Sequence, residues 1–108
     1  MPARIPARLL PHTIAVKPYL GSGAYGDVWG TTETVKRTLV EDHVQLVRDT
    51  AGREVTSSTT VYLEPRPLPA GSLVTVWSGT WREREARVIA VASLDHPRGL
   101  SHMVLYLE

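Results

Sequence analysis

The sequence predicts an all-β protein: a small single-domain β-barrel carrying one long loop rich in glycine and aromatic residues. Three observations point there. Valine and threonine dominate, phenylalanine is absent and helix formers are sparse, which favours pleated over helical backbone. A period of two in apolar and β-branched residues recurs along the chain. Proline and glycine interrupt it at short intervals, so the periodic runs have strand length. A chain of 108 residues makes one domain, and closing the strands into a barrel would hide edges otherwise free to pair with other molecules.

The elements follow in order. Tyr19 to Gly30, "YLGSGAYGDVWG", reads as a flexible loop. "TVKRTLVE", Thr34 to Glu41, has a period of two with Val35 and Leu39 on one face. Val44 to Arg48 reads as a strand, Asp49 to Gly52 as a turn in which Gly52 supplies a positive φ, and Arg53 to Glu64 as the long return strand. In that strand Val55, Ser57, Thr59, Val61 and Leu63 take the drier face. "PRPLPAGS" ends the ladder, because proline cannot donate to it. Leu73 to Trp77 resumes extended structure, and Ser78-Gly79-Thr80 turns it back. "EARVIAVASL" alternates Ala86, Val88, Ala90 and Ala92 with Arg87, Ile89, Val91 and Ser93. The loop "DHPRGLSH" precedes a closing strand, "MVLYLE". Six or seven strands and no helix are expected.

Charge and motifs narrow the function. Twelve basic against eleven acidic residues leave a formal +1, interspersed along the chain, so nothing calls for a polyanionic partner. There is no cysteine, which removes disulfides and thiolate chemistry. Pro6 and Pro11 break the apolar start of the chain, and no apolar run is long enough to span a bilayer, so a soluble protein is expected. Gly21-x-Gly23-x-x-Gly26-x-Val28 has the spacing of a protein-kinase nucleotide loop. The lysine setting, H-R-D and D-F-G that such a loop works with are all missing, and Asp27 puts negative charge in the cradle. The stretch reads better as a contact loop whose Tyr19, Tyr25 and Trp29 pair apolar bodies with polar handles. His12, His43, His96 and His102, with Asp95, match no zinc spacing. Ser57, Ser58, Ser78 and Ser101 lie outside any G-x-S-x-G elbow. No catalytic residue, cofactor or metal is expected. "WREREAR" alternates Arg82, Arg84 and Arg87 with Glu83 and Glu85; the carboxylates cancel much of the field a nucleic-acid stripe needs, and salt bridges between subunits use the pattern equally well. The alternative reading is a small β-barrel that binds nucleic acid or a nucleotide.

Taken together, "VKPYLGSGAYGDVWG", "VRDTAGREVTSSTTVYLE", "GSLVTVWSG", "ARVIAVASLDHPRG" and "HMVLYLE" resemble the head-to-tail stopper proteins of long-tailed bacteriophages, also called head-closure or head-tail connector proteins. The resemblance covers nearly the whole chain. It implies a structural virion protein rather than an enzyme: a homo-oligomeric ring of six or twelve copies below the portal and adaptor ring. Such a ring closes the DNA-filled head and offers the docking surface for the tail, through tail terminator or tail tube proteins. Packaged DNA would meet it only non-specifically, and no membrane is involved. It would act at the head-tail interface of the virion and assemble in the host cytoplasm. A ring subunit needs two different complementary surfaces. The candidates are the loop residues Tyr19, Tyr25, Asp27 and Trp29 and the segment of Arg82, Glu83, Arg84, Glu85 and Arg87. By the same resemblance the segment 19–32 corresponds to the loop that in such proteins projects from the barrel towards the channel or a neighbouring subunit, and the hairpin turn from Asp49 to Arg53 corresponds to a structural turn.

Overall fold

The structure, a computed structural model, describes residues 11–94 and 102–108. Asp95, His96 and Ser101 lie outside them. The described chain is all-β, with eight strands and no helix: β1 (His12–Lys17), β2 (Tyr19–Gly23), β3 (Gly26–Trp29), β4 (Glu33–Arg48), β5 (Glu54–Leu63), β6 (Leu73–Val76), β7 (Arg84–Leu94) and β8 (His102–Leu107). Six of them pair antiparallel in the order β1-β4-β5-β8-β7-β6, and β6 pairs back onto β1. The strands of this ring are not spaced evenly round an axis. β2 and β3 form a separate two-stranded sheet.

Alternation supplies the core. Ile14 and Val16 from β1, Val61 and Leu63 from β5, Val74 and Val76 from β6, Ala86 and Val88 from β7, and Met103, Leu105 and Leu107 from β8 all turn inward, each pair two residues apart as a pleated strand requires. Leu68, the one leucine among the prolines of the β5–β6 connection, is buried with them. Ser57, Thr59 and Thr60 are buried too. Their hydroxyls are satisfied: Ser57 donates to the Leu107 carbonyl at 2.9 Å, Thr59 to Asp42 at 3.1 Å, and Thr60 accepts from Gln45 at 3.1 Å.

Among the described residues of the six-stranded sheet, three bulges break the simple alternation. On β4, His12 pairs with Thr38 but Ile14 with Val35; the extra residue puts Arg37 at φ 61° and moves the buried face from Val35 to Thr38 and Val40. Leu39, which the sequence places on the face of Val35, is therefore only half-buried. On β7, Val88 opposes Leu107 and Ala90 opposes Tyr106, so both Val88 and Ile89 are buried and Val91, not Ala90, packs on the core beyond them. Between Asp42 and Gln45 the β4–β5 register shifts again, leaving Val44 exposed. The strands expected separately at 34–41 and 44–48 are one 16-residue strand bent at this bulge.

Two elements differ from expectation. β1 has the Ile14 and Val16 alternation but sits in a proline-flanked stretch. The loop expected across 19–32 is instead largely a hairpin, because Tyr19, Gly21, Ser22 and Gly23 pair with Trp29, Val28, Asp27 and Gly26. Gly21 and Gly26 take φ 114° and 109°, which a side chain disfavours. The Asp49 to Arg53 turn forms as predicted, with Gly52 at φ 81° and its N–H donating to the Asp49 carbonyl at 3.0 Å.

Core and surface positions should separate in denaturation. Leu63→Ala, at a fully buried site, should cost about 2–5 kcal/mol in urea unfolding. Leu46→Ala, on the exposed face of β4, should stay within about 0.5 kcal/mol of the parent. Equal losses at the two sites would contradict this placement of the core.

Candidate interaction surface

The β2–β3 hairpin is docked on the main sheet through its inner face. Trp29 donates its indole N–H to the Gly71 carbonyl at 2.9 Å. The Tyr19 N–H donates to the Ser72 hydroxyl at 3.0 Å, which itself donates to the Pro69 carbonyl at 2.7 Å. Gly71 allows this seat: its φ is 93°, and a Cβ there would lie 3.2 Å from the Tyr19 ring. The Tyr19 and Trp29 rings meet edge to face at 6.0 Å.

Asp27 locks the arrangement. Its carboxylate accepts from the Arg87 guanidinium at 2.7 Å, from the Tyr19 hydroxyl at 2.9 Å and from the Ser22 hydroxyl at 3.0 Å. These donors hold its pKa below the usual carboxylate range, Arg87 contributing most. The Arg87 guanidinium carbon also lies 5.7 Å from the Trp29 ring centroid and 5.9 Å from that of Tyr19, within cation–π reach. Four residues singled out in sequence as two separate surfaces, Tyr19, Asp27, Trp29 and Arg87, thus converge on one cluster. Ser22, Gly71 and Ser72 belong to it too. Only the short polar side chain of Ser22, between the glycines, gave any sequence signal.

The outer face of the hairpin is different. Leu20, the extra residue of the bulge between Tyr19 and Gly21, is 67% exposed; Val28 faces solvent beside it, and Tyr25 at the turn is fully exposed. The kinase-like glycines serve this hairpin: Gly23 and Gly26 close it, and the neighbouring carboxylate turns inward to Arg87.

The rest of the Arg-Glu segment has partners within the chain. Arg84 donates to Ser58 and Thr59 at 2.6 and 2.5 Å and to the Glu108 carbonyl at 3.0 Å. Glu85 lies 3.5 Å from Lys17. The Glu83 carboxylate accepts from the Gly79 N–H at 3.1 Å. Arg82 stacks 4.0 Å over the Trp77 ring and lies 3.7 Å from Asp42. Trp77 in turn meets His12 edge-on at 4.9 Å, while His12 Nδ1 accepts from the Val40 N–H. Among the described residues no three His, Cys, Asp or Glu side chains gather as a metal site would need.

No family model, curated protein or solved structure matches the chain.

Between the docked hairpin and the β4–β5 turn lies an open groove of about 340 Å³, lined by Tyr19, Val55, Ala70 and Ile89 and by the charged Asp49, Arg53, Arg87 and Glu108. Asp49 at its rim accepts from the Ala51 and Arg53 N–H groups, each at 2.9 Å. Those bonds, that from Arg53 first, hold its carboxyl below the usual range.

Two measurements check the docking. Gly52→Ala and Gly71→Ala both force alanine to positive φ, a cost of about 1–2 kcal/mol. Gly71→Ala should cost visibly more, because only there would the Cβ meet a ring. Carboxyl NMR should find Asp27 titrating below the usual range, and Arg87→Gln should raise it. Because the folded pKa is the lower one, its stabilisation is present above the unfolded-state pKa and is lost as pH falls through the folded value. An Asp27 that titrates normally in the parent would remove the lock.

Proposed function

We propose that the chain is a structural assembly subunit of the head-to-tail stopper type, a small β-barrel that joins copies of itself into a ring and docks between a head-side adaptor and a tail. One observation carries this reading: the β2–β3 hairpin is held on the sheet through Tyr19, Trp29 and the Asp27–Arg87 pair and sets Leu20, Val28 and Tyr25 outward. A hairpin that only covered the sheet would have no use for apolar side chains on its far face. Apolar side chains held in a fixed geometry away from the core are what a permanent partner covers.

Three further features support it. The strand pairings return from β6 to β1, as a small barrel requires. A second exposed apolar site, Val44 and Leu46, lies on the β4–β5 ribbon, so the surface offers two unlike patches, and a ring contact needs unlike patches. The alternating charges of Arg82 to Arg87 are engaged within the chain, so assembly by this subunit would draw chiefly on apolar contacts. The sequence resemblance to stopper proteins supplies the virion setting, the adaptor and the tail.

The test is direct. Protein carrying a small label should appear by electron microscopy at the junction of head and tail, and a phage lacking it should accumulate free heads and free tails. Leu20→Asp together with Tyr25→Ala should keep the β-sheet circular dichroism and thermal midpoint while the yield of joined particles falls. Label along the tail tube, or none in mature particles, would end the stopper reading.

A further inference from the structure

We propose that copies associate head to tail by seating Trp81 of one copy in the groove between the β2–β3 hairpin and the β4–β5 turn of the next. The contact deepens the ring reading above and rests on it only for closure of the assembly.

Trp81 is 93% exposed, and among the described residues Arg82 lies within cation–π reach, 5.9 Å from the ring. The turn that presents it is nevertheless tightly built. Thr80 donates to the Trp77 carbonyl through both its N–H, at 3.1 Å, and its hydroxyl, at 2.6 Å. The Glu83 N–H donates to the Thr80 carbonyl at 3.1 Å, and Arg82 is stacked on Trp77. An exposed indole on an ordered turn loses little freedom on binding, and tryptophan is prominent among residues that dominate interfaces.

The groove fits such an occupant. Its 340 Å³ lie at the lower end of the range for concave binding sites, sized for one aromatic system, and its lining joins the aliphatic Val55, Ala70 and Ile89 and the Tyr19 ring with the charged Asp49, Arg53, Arg87 and Glu108. Trp81 does not line the groove of its own chain, so the contact joins two copies. Charge selects the occupant. Arg53 at the rim engages Asp49 through Nε alone, at 3.2 Å, and its side chain is 79% exposed, which leaves the outer guanidinium nitrogens for a partner. Glu83, two residues from Trp81, brings a carboxylate whose Oε1 accepts from the Gly79 N–H and whose Oε2 meets them. Tyr25, the other fully exposed aromatic, brings no such group, since both oxygens of its neighbour Asp27 are engaged, Oδ1 by Tyr19 and Ser22 and Oδ2 by Arg87. Knob and socket differ, so the contact is heterologous and propagates.

The absence of cysteine makes the test clean. Arg53→Cys and Glu83→Cys subunits, mixed at high concentration and mildly oxidised, should form a disulfide-linked dimer well above a control mixture of Arg53→Cys with Tyr25→Cys. The Asp49 to Arg53 turn should survive the change, because its main-chain bonds remain. Trp81→Ala placed in the Glu83→Cys copy should cut the cross-linking by about 30-fold, whereas the same change in the Arg53→Cys copy should leave it intact. Cross-linking no higher than the control, or equal sensitivity to Trp81→Ala in either copy, would overturn the proposal. Cross-linked subunits that are absent from head-tail junctions would sink the stopper reading and leave this contact standing; protein at the junction without the cross-link would do the opposite.

Discussion

The pairing of β6 with β1 is the constraint on which everything else rests. The core is built from valine, leucine, isoleucine, alanine and methionine with no phenylalanine and no disulfide, and the large aromatic Trp77 packs against it only partly buried. Enclosure has to come from the backbone. Ala15, Val16 and Lys17 of β1 meet Thr75, Val74 and Leu73 of β6, and that short ladder buries the apolar faces of both ends of the ring at once. It also fixes the site. The β5–β6 connection must end at Ser72 beside the start of β2, which brings Gly71 and Ser72 under Tyr19 and Trp29.

The docked hairpin is held by several modest contacts rather than by one strong one. The Arg87–Asp27 pair is short, but both side chains are more than a third exposed, and solvent screens such pairs so that they add little to stability. The larger part comes from the half-buried Trp29, whose N–H is satisfied by Gly71, and from the packing of Tyr19 on that same glycine. Arg87 does more for orientation than for stability. It touches the carboxylate of β3 and faces both rings, so it specifies how the hairpin sits against β7, and with it which face of the hairpin is left outward.

Much of the sheet was legible in the sequence because period-two patterning records burial directly. The Val55 to Leu63 alternation, the Gly52 turn, the Leu73 to Val76 run and the closing strand all follow from it. What escaped was set by bulges and by contacts across the chain. The extra residues near Arg37 and at Ile89 reverse the buried face partway along a strand, and a strict alternation cannot encode that. Glycines at positions 21, 23 and 26 suggested a mobile loop, whereas two of them supply positive φ in a paired hairpin. Tyr19, Asp27 and Trp29 could be singled out as a local group, but Arg87 lies 60 residues from Asp27. The alternating charges around it suggested a different surface.

That internal use of charge bears on how the molecule meets others. An arginine already paired with a neighbouring carboxylate or stacked on an indole must be desolvated again to serve a partner, and a surface pair gains little from the exchange. Arg82, Arg84 and Arg87 therefore shape the subunit: one orders the turn beneath Trp81, one ties the end of β8 to β5 and β7, and one orients the hairpin. The apolar groups they leave exposed carry no such prior commitment. Their burial is favourable for any partner of matching shape, and it is the fixed geometry imposed by the arginines that limits which partner matches.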